Sequence, residues 1–232
     1  MYAPETQDPD APPLPVIVYY PSGAFQWGAA NDGESNGYHK AQQMGWKNVI
    51  LVTINYRTGI FGFLASPGLS ARSGDNSSGL FGIHDQTMGL KWIQKNIGAF
   101  GGDKDRVMIF GESAGATSMS LHLVMPESAG LFHAVAIDSG AFNQWTYRSW
   151  GDAMDDYNNI SKAFGCDQSA NDTACFLSKS KWDLLNVSDA YCKYTLYRSM
   201  DLRHTQSGAY LSPQMDLRRT QSGAYLSPQE YL

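Results

Sequence analysis

Apolar residues along this chain fall into short dense runs separated by longer stretches of mixed character. Val16 to Tyr20 is unbroken and rich in β-branched and aromatic side chains, and Asn48 to Asn55 encloses a second such run. Density without alternation is what a strand buried on both faces of a parallel sheet requires. Arg106 to Phe110 and His133 to Asp138 read as two further strands. Between them the period changes. Ile83, Leu90, Ile93 and Ile97 recur at helical spacing and predict one buried stripe on a helix from Ile83 to Ile97. Ala114 to Met125 predicts another, ended by Pro126. Tyr38 to Met44 is expected as a short helix, Ile60 to Leu64 as a short extended piece, and the Gly- and Ser-rich Gly68 to Gly82 as a surface loop. Beyond Phe142, Asp152 to Phe164 and Ser180 to Leu185 suit amphipathic helices among polar loops. Strand and helix alternate, which predicts an α/β fold with a mostly parallel, doubly wound sheet.

The two ends have a different texture. Residues 1–15 hold prolines at 4, 9, 12, 13 and 15 and read as an extended lead-in. Met200 to Gln214 is repeated at once as Met215 to Gln229, with His204 replaced by Arg219. Two short copies are too few to stack as a repeat fold, so 200–232 is expected to be a disordered, duplicated tail and 16–199 the folded part.

Charge and composition narrow the classes of partner. With 17 basic and 22 acidic residues the net charge is -5, and no long basic run is present, which argues against nucleic acid. The apolar runs are far too short to span a bilayer. Four acceptor patterns for N-glycosylation begin at Asn76, Asn159, Asn171 and Asn186. Cys166 and Cys175 bracket a polar loop of a length that a disulfide can close, contributing ~2–3 kcal/mol if formed; the other reading is two buried thiols. Cys192 is left over.

The chemistry is concentrated in Gly111-Glu-Ser-Ala-Gly115, directly after the third strand and directly before a helix. A serine at the tip of so tight a strand-to-helix turn takes a strained backbone and projects its hydroxyl from the sheet. Gly111 and Gly115 stand where any Cβ would collide as strand and helix close on each other. Pro21 to Gly28, at the C-terminal end of the first strand, is a second site candidate, because open α/β sheets bind ligands at those ends.

Around that turn, Asn55-Tyr-Arg-Thr-Gly-Ile-Phe-Gly-Phe-Leu, the helix Asp85-Gln-Thr-Met-Gly-Leu-Lys-Trp-Ile-Gln-Lys-Asn-Ile-Gly-Ala-Phe-Gly-Gly-Asp and Phe110-Gly-Glu-Ser-Ala-Gly-Ala resemble the type-B carboxylesterase and cholinesterase family of α/β hydrolases. The likeness runs from about Leu14 to Asn186. It implies a serine carboxylic ester hydrolase that works through an acyl-enzyme on a small-molecule ester, with no cofactor and no metal. Ser113 matches the nucleophile. Gly23 and Ala24, within Pro21-Ser-Gly-Ala-Phe25, match two backbone donors of the family's oxyanion hole, and Ala114 the third; alanine keeps the N–H that matters. Glu112 matches a residue lining the pocket, although an acid there can equally hydrogen-bond within the turn. Arg57 with Asp85 and Asp103 with Arg106 read as structural ion pairs. Phe25, Trp27 and Phe142 are candidates for an acyl pocket or for core packing, and His84, His122 and His133 read as packing or surface histidines.

A serine needs a base. In this fold the acid and the histidine of the triad follow the serine in chain order on later units. No residue after Ser113 matches either position, His204 being the only late histidine. The expectation is therefore a middle fragment of such an enzyme, a truncated α/β-hydrolase fold impaired in turnover as it stands. The alternatives are a non-catalytic member used for binding or adhesion, and a non-functional gene fragment. The family and the acceptor patterns imply a secretory location, although residues 1–10 do not read as a signal peptide.

Overall fold

The computed structural model describes residues 1–4, 10–31, 48–140, 149–167 and 171–191. The expected helix at 38–44, Phe142, Cys192, His204 and the duplicated segment lie outside those residues. Among the described residues four strands form one sheet: β1 (Leu14–Tyr20), β2 (Ile50–Thr53), β3 (Gly102–Glu112) and β4 (Ala134–Asp138). Their order is β2-β1-β3-β4 and every pairing is parallel. The chain steps from β1 outward to β2, then returns past β1 to lay down β3 and β4. Strand order reverses between β1 and β3, and in open parallel sheets the binding crevice lies at such a point, beyond the C-terminal ends of the strands.

The strands are those the apolar runs predict, with extensions that have local causes. β1 starts at Leu14 because the Leu14 N–H reaches the Gly101 carbonyl at 2.8 Å. Pro15, which has no N–H to give, falls at a register shift between Leu14 and Val16. The lead-in is also tied down at its start, where Tyr2 exchanges two backbone hydrogen bonds with Leu51 at 2.8 and 2.9 Å.

Helices α1 (Gly59–Phe63), α2 (Pro67–Arg72), α3 (Phe81–Asn96), α4 (Ala114–Val124), α5 (Trp150–Ala163), α6 (Asp172–Ser178) and α7 (Lys181–Tyr191) complete the described elements. Ile83, Leu90 and Ile93 form the buried stripe of α3, and Ile97 continues it into a short 3-10 turn. They pack with Met119 and Leu121 of α4 on the sheet face that carries Val16, Val18, Tyr20, Val107 and Ile109. The opposite face gathers Ile17, Tyr19, Leu51 and Met108.

Two expectations are corrected. Ile60 to Phe63 is helical, not extended, with Leu64 as the extended C-cap: the Gly62 N–H bonds to the Thr58 carbonyl, and Ile60 and Leu64 both enter a cluster with Tyr157, Ile160 and Phe164 of the α5 region while Phe63 faces the main core. The stretch 68–82 is not a loop throughout. Its first part belongs to α2, capped by Ser66, whose Oγ accepts from the Leu69 N–H, with Pro67 in the first turn. Ser77 and Ser78 are buried, and the Ser78 hydroxyl donates to the Ser66 carbonyl at 3.1 Å.

Cys166 and Cys175 are joined by a disulfide. It links the end of α5 to α6, where Phe176 stacks on Tyr157 and meets Phe164 edge-on.

Candidate active site

β3 ends at Glu112 and α4 begins at Ala114, leaving Ser113 alone in the turn with φ 53° and ψ -114°. A non-glycine residue there is strained, so its surroundings must hold it. The Ser113 N–H donates to the Asp138 carbonyl of β4 at 3.0 Å, and the Ser113 carbonyl accepts from the Thr117 N–H at 3.0 Å. Both neighbouring glycines are sterically required. A Cβ on Gly111 would stand 2.4 Å from the Gly115 carbonyl carbon, and one on Gly115 would stand 2.5 Å from the carbonyl oxygen of Tyr20, at the end of β1. The first turn of α4 thus lies directly against the point where the β1 loop departs.

That loop runs backwards through the left-handed region: Gly23, Ala24 and Phe25 have φ of 103°, 56° and 61°. Only Gly23 is suited to it by type. The shape is kept by clamps. The Gln26 and Trp27 N–H groups donate to the Gly23 carbonyl at 2.9 and 3.1 Å, and the Gly59 N–H donates to the Phe25 carbonyl at 2.6 Å. The buried Tyr56 hydroxyl donates to the Pro21 carbonyl at 2.8 Å, and the Asn55 Oδ1 accepts from the Ala30 N–H at 2.7 Å. Phe25 is buried against Phe63 and Tyr56, whereas Trp27 is exposed. Among the described residues, no acceptor takes the N–H of Gly23, Ala24 or Ala114, and no side chain bonds to Ser113 Oγ.

The segment holding the loop is itself anchored. Arg57 grips Asp85 of α3 through Nε and Nη2, each at 2.7 Å, and its own N–H adds a third bond at 3.0 Å. Desolvation pushes the Asp85 carboxyl up, but these bonds outweigh it and hold it below the usual carboxylate range. Asp103 and Arg106 also pair, at 2.7 Å, on the exposed part of β3 away from the turn.

The remaining candidates are dispersed. Glu112 is half-buried beside Ser113, and no hydrogen bond engages its carboxylate among the described residues. His133 is exposed and pairs with β3 through its backbone. His122 is 1% exposed on α4. Its Nδ1 lies 2.8 Å from Ser128 Oγ and its Nε2 lies 3.0 Å from Gln86 Oε1. Nothing in the sequence pattern distinguished it from the other histidines. Asn76, Asn159, Asn171 and Asn186 are all exposed. No group of His, Cys, Asp and Glu among the described residues could hold a metal ion, and no described helix is long and apolar enough to cross a membrane.

A parallel sheet flanked by helices, with a serine on a left-handed turn where the strand order reverses, is the arrangement of an α/β-hydrolase fold. Within that class the chain belongs to the carboxylesterase family, whose profile matches residues 1–226. Lipase 1 of Geotrichum candidum is 38% identical over 200 residues, covering 82% of this chain and 35% of the lipase. Juvenile hormone esterase of Tribolium castaneum is 44% identical over 141 residues, 61% of this chain and 22% of the esterase, and carboxylesterase 5A of Ovis aries is 37% identical over 187, 78% and 46% respectively. The chain therefore spans about a third of the length of the Geotrichum lipase, 35%. The family is one of serine ester hydrolases.

Proposed function

We propose that Ser113 is the nucleophile of carboxylic ester hydrolysis, with the N–H groups of Gly23, Ala24 and Ala114 as donors to the oxyanion. Ser113 Oγ attacks the ester carbonyl carbon, the tetrahedral oxyanion is held by those three N–H groups, and the alcohol leaves with a proton to give an acyl-serine that water then cleaves. The observation that carries this reading is the conjunction at the strand-order reversal. A strained serine with no hydrogen-bonded side chain adjoins a loop and a helix start whose N–H groups are uncommitted. Donors fixed in place before the charge develops stabilise it without reorganising.

The base is read as a histidine other than His122, whose ring nitrogens are both engaged elsewhere. That base takes the Ser113 proton as the bond to the ester carbon forms. A fluorophosphonate probe and p-nitrophenyl acetate test the two halves of the cycle: phosphonylation reports an activated serine with its oxyanion donors, and turnover reports in addition the release of the acyl group by water. Folded protein that takes no label would contradict the nucleophile, and turnover retained in Ser113→Ala would place the reaction on another residue.

A further inference from the structure

Beneath α4 runs a line of buried polar side chains that ester chemistry leaves unused. Ser118 Oγ donates to the Ala114 carbonyl at 3.0 Å. Gln86 of α3 donates through Nε2 to Ser118 Oγ, also at 3.0 Å. Gln86 Oε1 faces His122 Nε2, and His122 Nδ1 faces Ser128 Oγ, in the 3-10 turn after α4. Tyr20, at the end of β1, donates its hydroxyl to the Gln86 carbonyl at 3.2 Å and sets its ring 5.6 Å from that of His122. Gln86, Ser118, His122 and Ser128 are each 1% exposed or less.

The bond from Ser118 to the Ala114 carbonyl sets the proton order in this line. A carbonyl only accepts, so the single proton of Ser118 is committed to Ala114. Ser118 must then accept from Gln86, which turns the amide oxygen toward His122, and Nε2 of His122 must carry the proton. A neutral ring with Nε2–H has Nδ1 free to accept, and Ser128 donates to it. Burial supports the neutral ring, holding its pKa down near 4. Every link points the same way, from Ser128 to the residue after Ser113.

We propose that His122, as the Nε2–H tautomer, is a positioning residue for the nucleophile helix, acting through Gln86 and Ser118 on the first turn of α4. The chain of bonds pins that turn to α3, and α3 is pinned through Arg57 to the segment that clamps the Gly23–Ala24 loop. Ser113, Ala114 N–H and the loop donors are thereby held in one frame. This rests on the reading of Ser113 as nucleophile.

The test uses the full chain with ¹⁵N-labelled histidine, and compares wild type, Ser118→Ala, His122→Leu and His122→Gln. Ring nitrogen shifts should report Nε2–H for His122. Fluorophosphonate labelling at saturating probe, well below the melting temperature, should slow about tenfold in Ser118→Ala and His122→Leu with the half-saturating concentration unchanged, and recover in His122→Gln, whose amide both donates and accepts. A purely structural role would lower the melting temperature and leave that rate alone. An Nδ1–H ring, or a wild-type labelling rate in folded Ser118→Ala, overturns the proposal while the nucleophile reading stands. Unlabelled wild type overturns both.

Discussion

Ser113 is held at a φ of 53° by contacts that leave its neighbours no freedom of size. Strain of this kind costs on the order of 1–3 kcal/mol and persists only where the surroundings over-determine it. Here the Asp138 and Thr117 backbone bonds and the close approach of Gly111 to Gly115 do so. Replacing Gly115 by alanine drives a Cβ into the Tyr20 carbonyl oxygen at 2.5 Å, backbone that cannot turn aside. Gly115→Ala should lose about 2–4 kcal/mol in urea denaturation. A variant as stable as wild type would show that α4 and β1 are not in contact there. Ala24 is the milder case: its φ of 56° costs an L-residue about 1–2 kcal/mol, yet its N–H keeps the direction glycine would give it.

Among the elements, the segment from Asn55 to Gly59 does more than connect β2 to α1. Asn55, Tyr56 and Gly59 each bond to the β1 loop, and Arg57 ties the segment to α3. Tyr56→Phe leaves the buried Pro21 carbonyl without its donor and is expected to cost about 1–3 kcal/mol and to slow fluorophosphonate labelling as the loop loosens. Unchanged stability and labelling together would remove Tyr56 from the account. These roles were only partly legible in the sequence. β1 to β4 were visible because unbroken β-branched runs have one common use in a doubly wound sheet, and α3 because its stripe repeats over four turns. Ile60 to Leu64 hides its helix because four apolar side chains around one glycine display no period. α2 was hidden inside a Gly- and Ser-rich stretch, although Ser66-Pro67 is a helix-start signal. The glycine pair at Ser113 was legible from spacing alone, since strand, turn and helix are contiguous there. The clamps on the loop were not, because no local pattern tells which distant carbonyl a tyrosine hydroxyl will find. The bonded partners of His122 were invisible for the same reason.

At the scale of the molecule, a buried neutral histidine makes folding depend on pH. Burial moves His122 from 6.5 down to about 4. Above pH 6.5 neither the folded nor the unfolded chain protonates it, and its full contribution is present. As pH falls from there toward 4, the unfolded chain takes a proton that the folded chain refuses, so stability declines, by about 3 kcal/mol at the end of the window. Asp75, held near 2 by the Ser77 hydroxyl, and Asp85 and Asp103, held low by their partners, act below the ordinary carboxylate pKa of 3.8, so the two windows separate. Denaturation midpoints at pH 7, 5.5 and 4.5 should fall in wild type and flatten in His122→Gln; equal slopes would place the titration elsewhere.

The fold gives Ser113 its turn, its strand, its helix and its uncommitted neighbouring amides, and together these make it the proposed nucleophile. Mass-spectrometric mapping of a fluorophosphonate adduct on the folded chain tests that most directly. A single adduct on the peptide containing Ser113, absent from Ser113→Ala, is expected. Folded wild-type protein without an adduct, or with the adduct retained in Ser113→Ala, would contradict it.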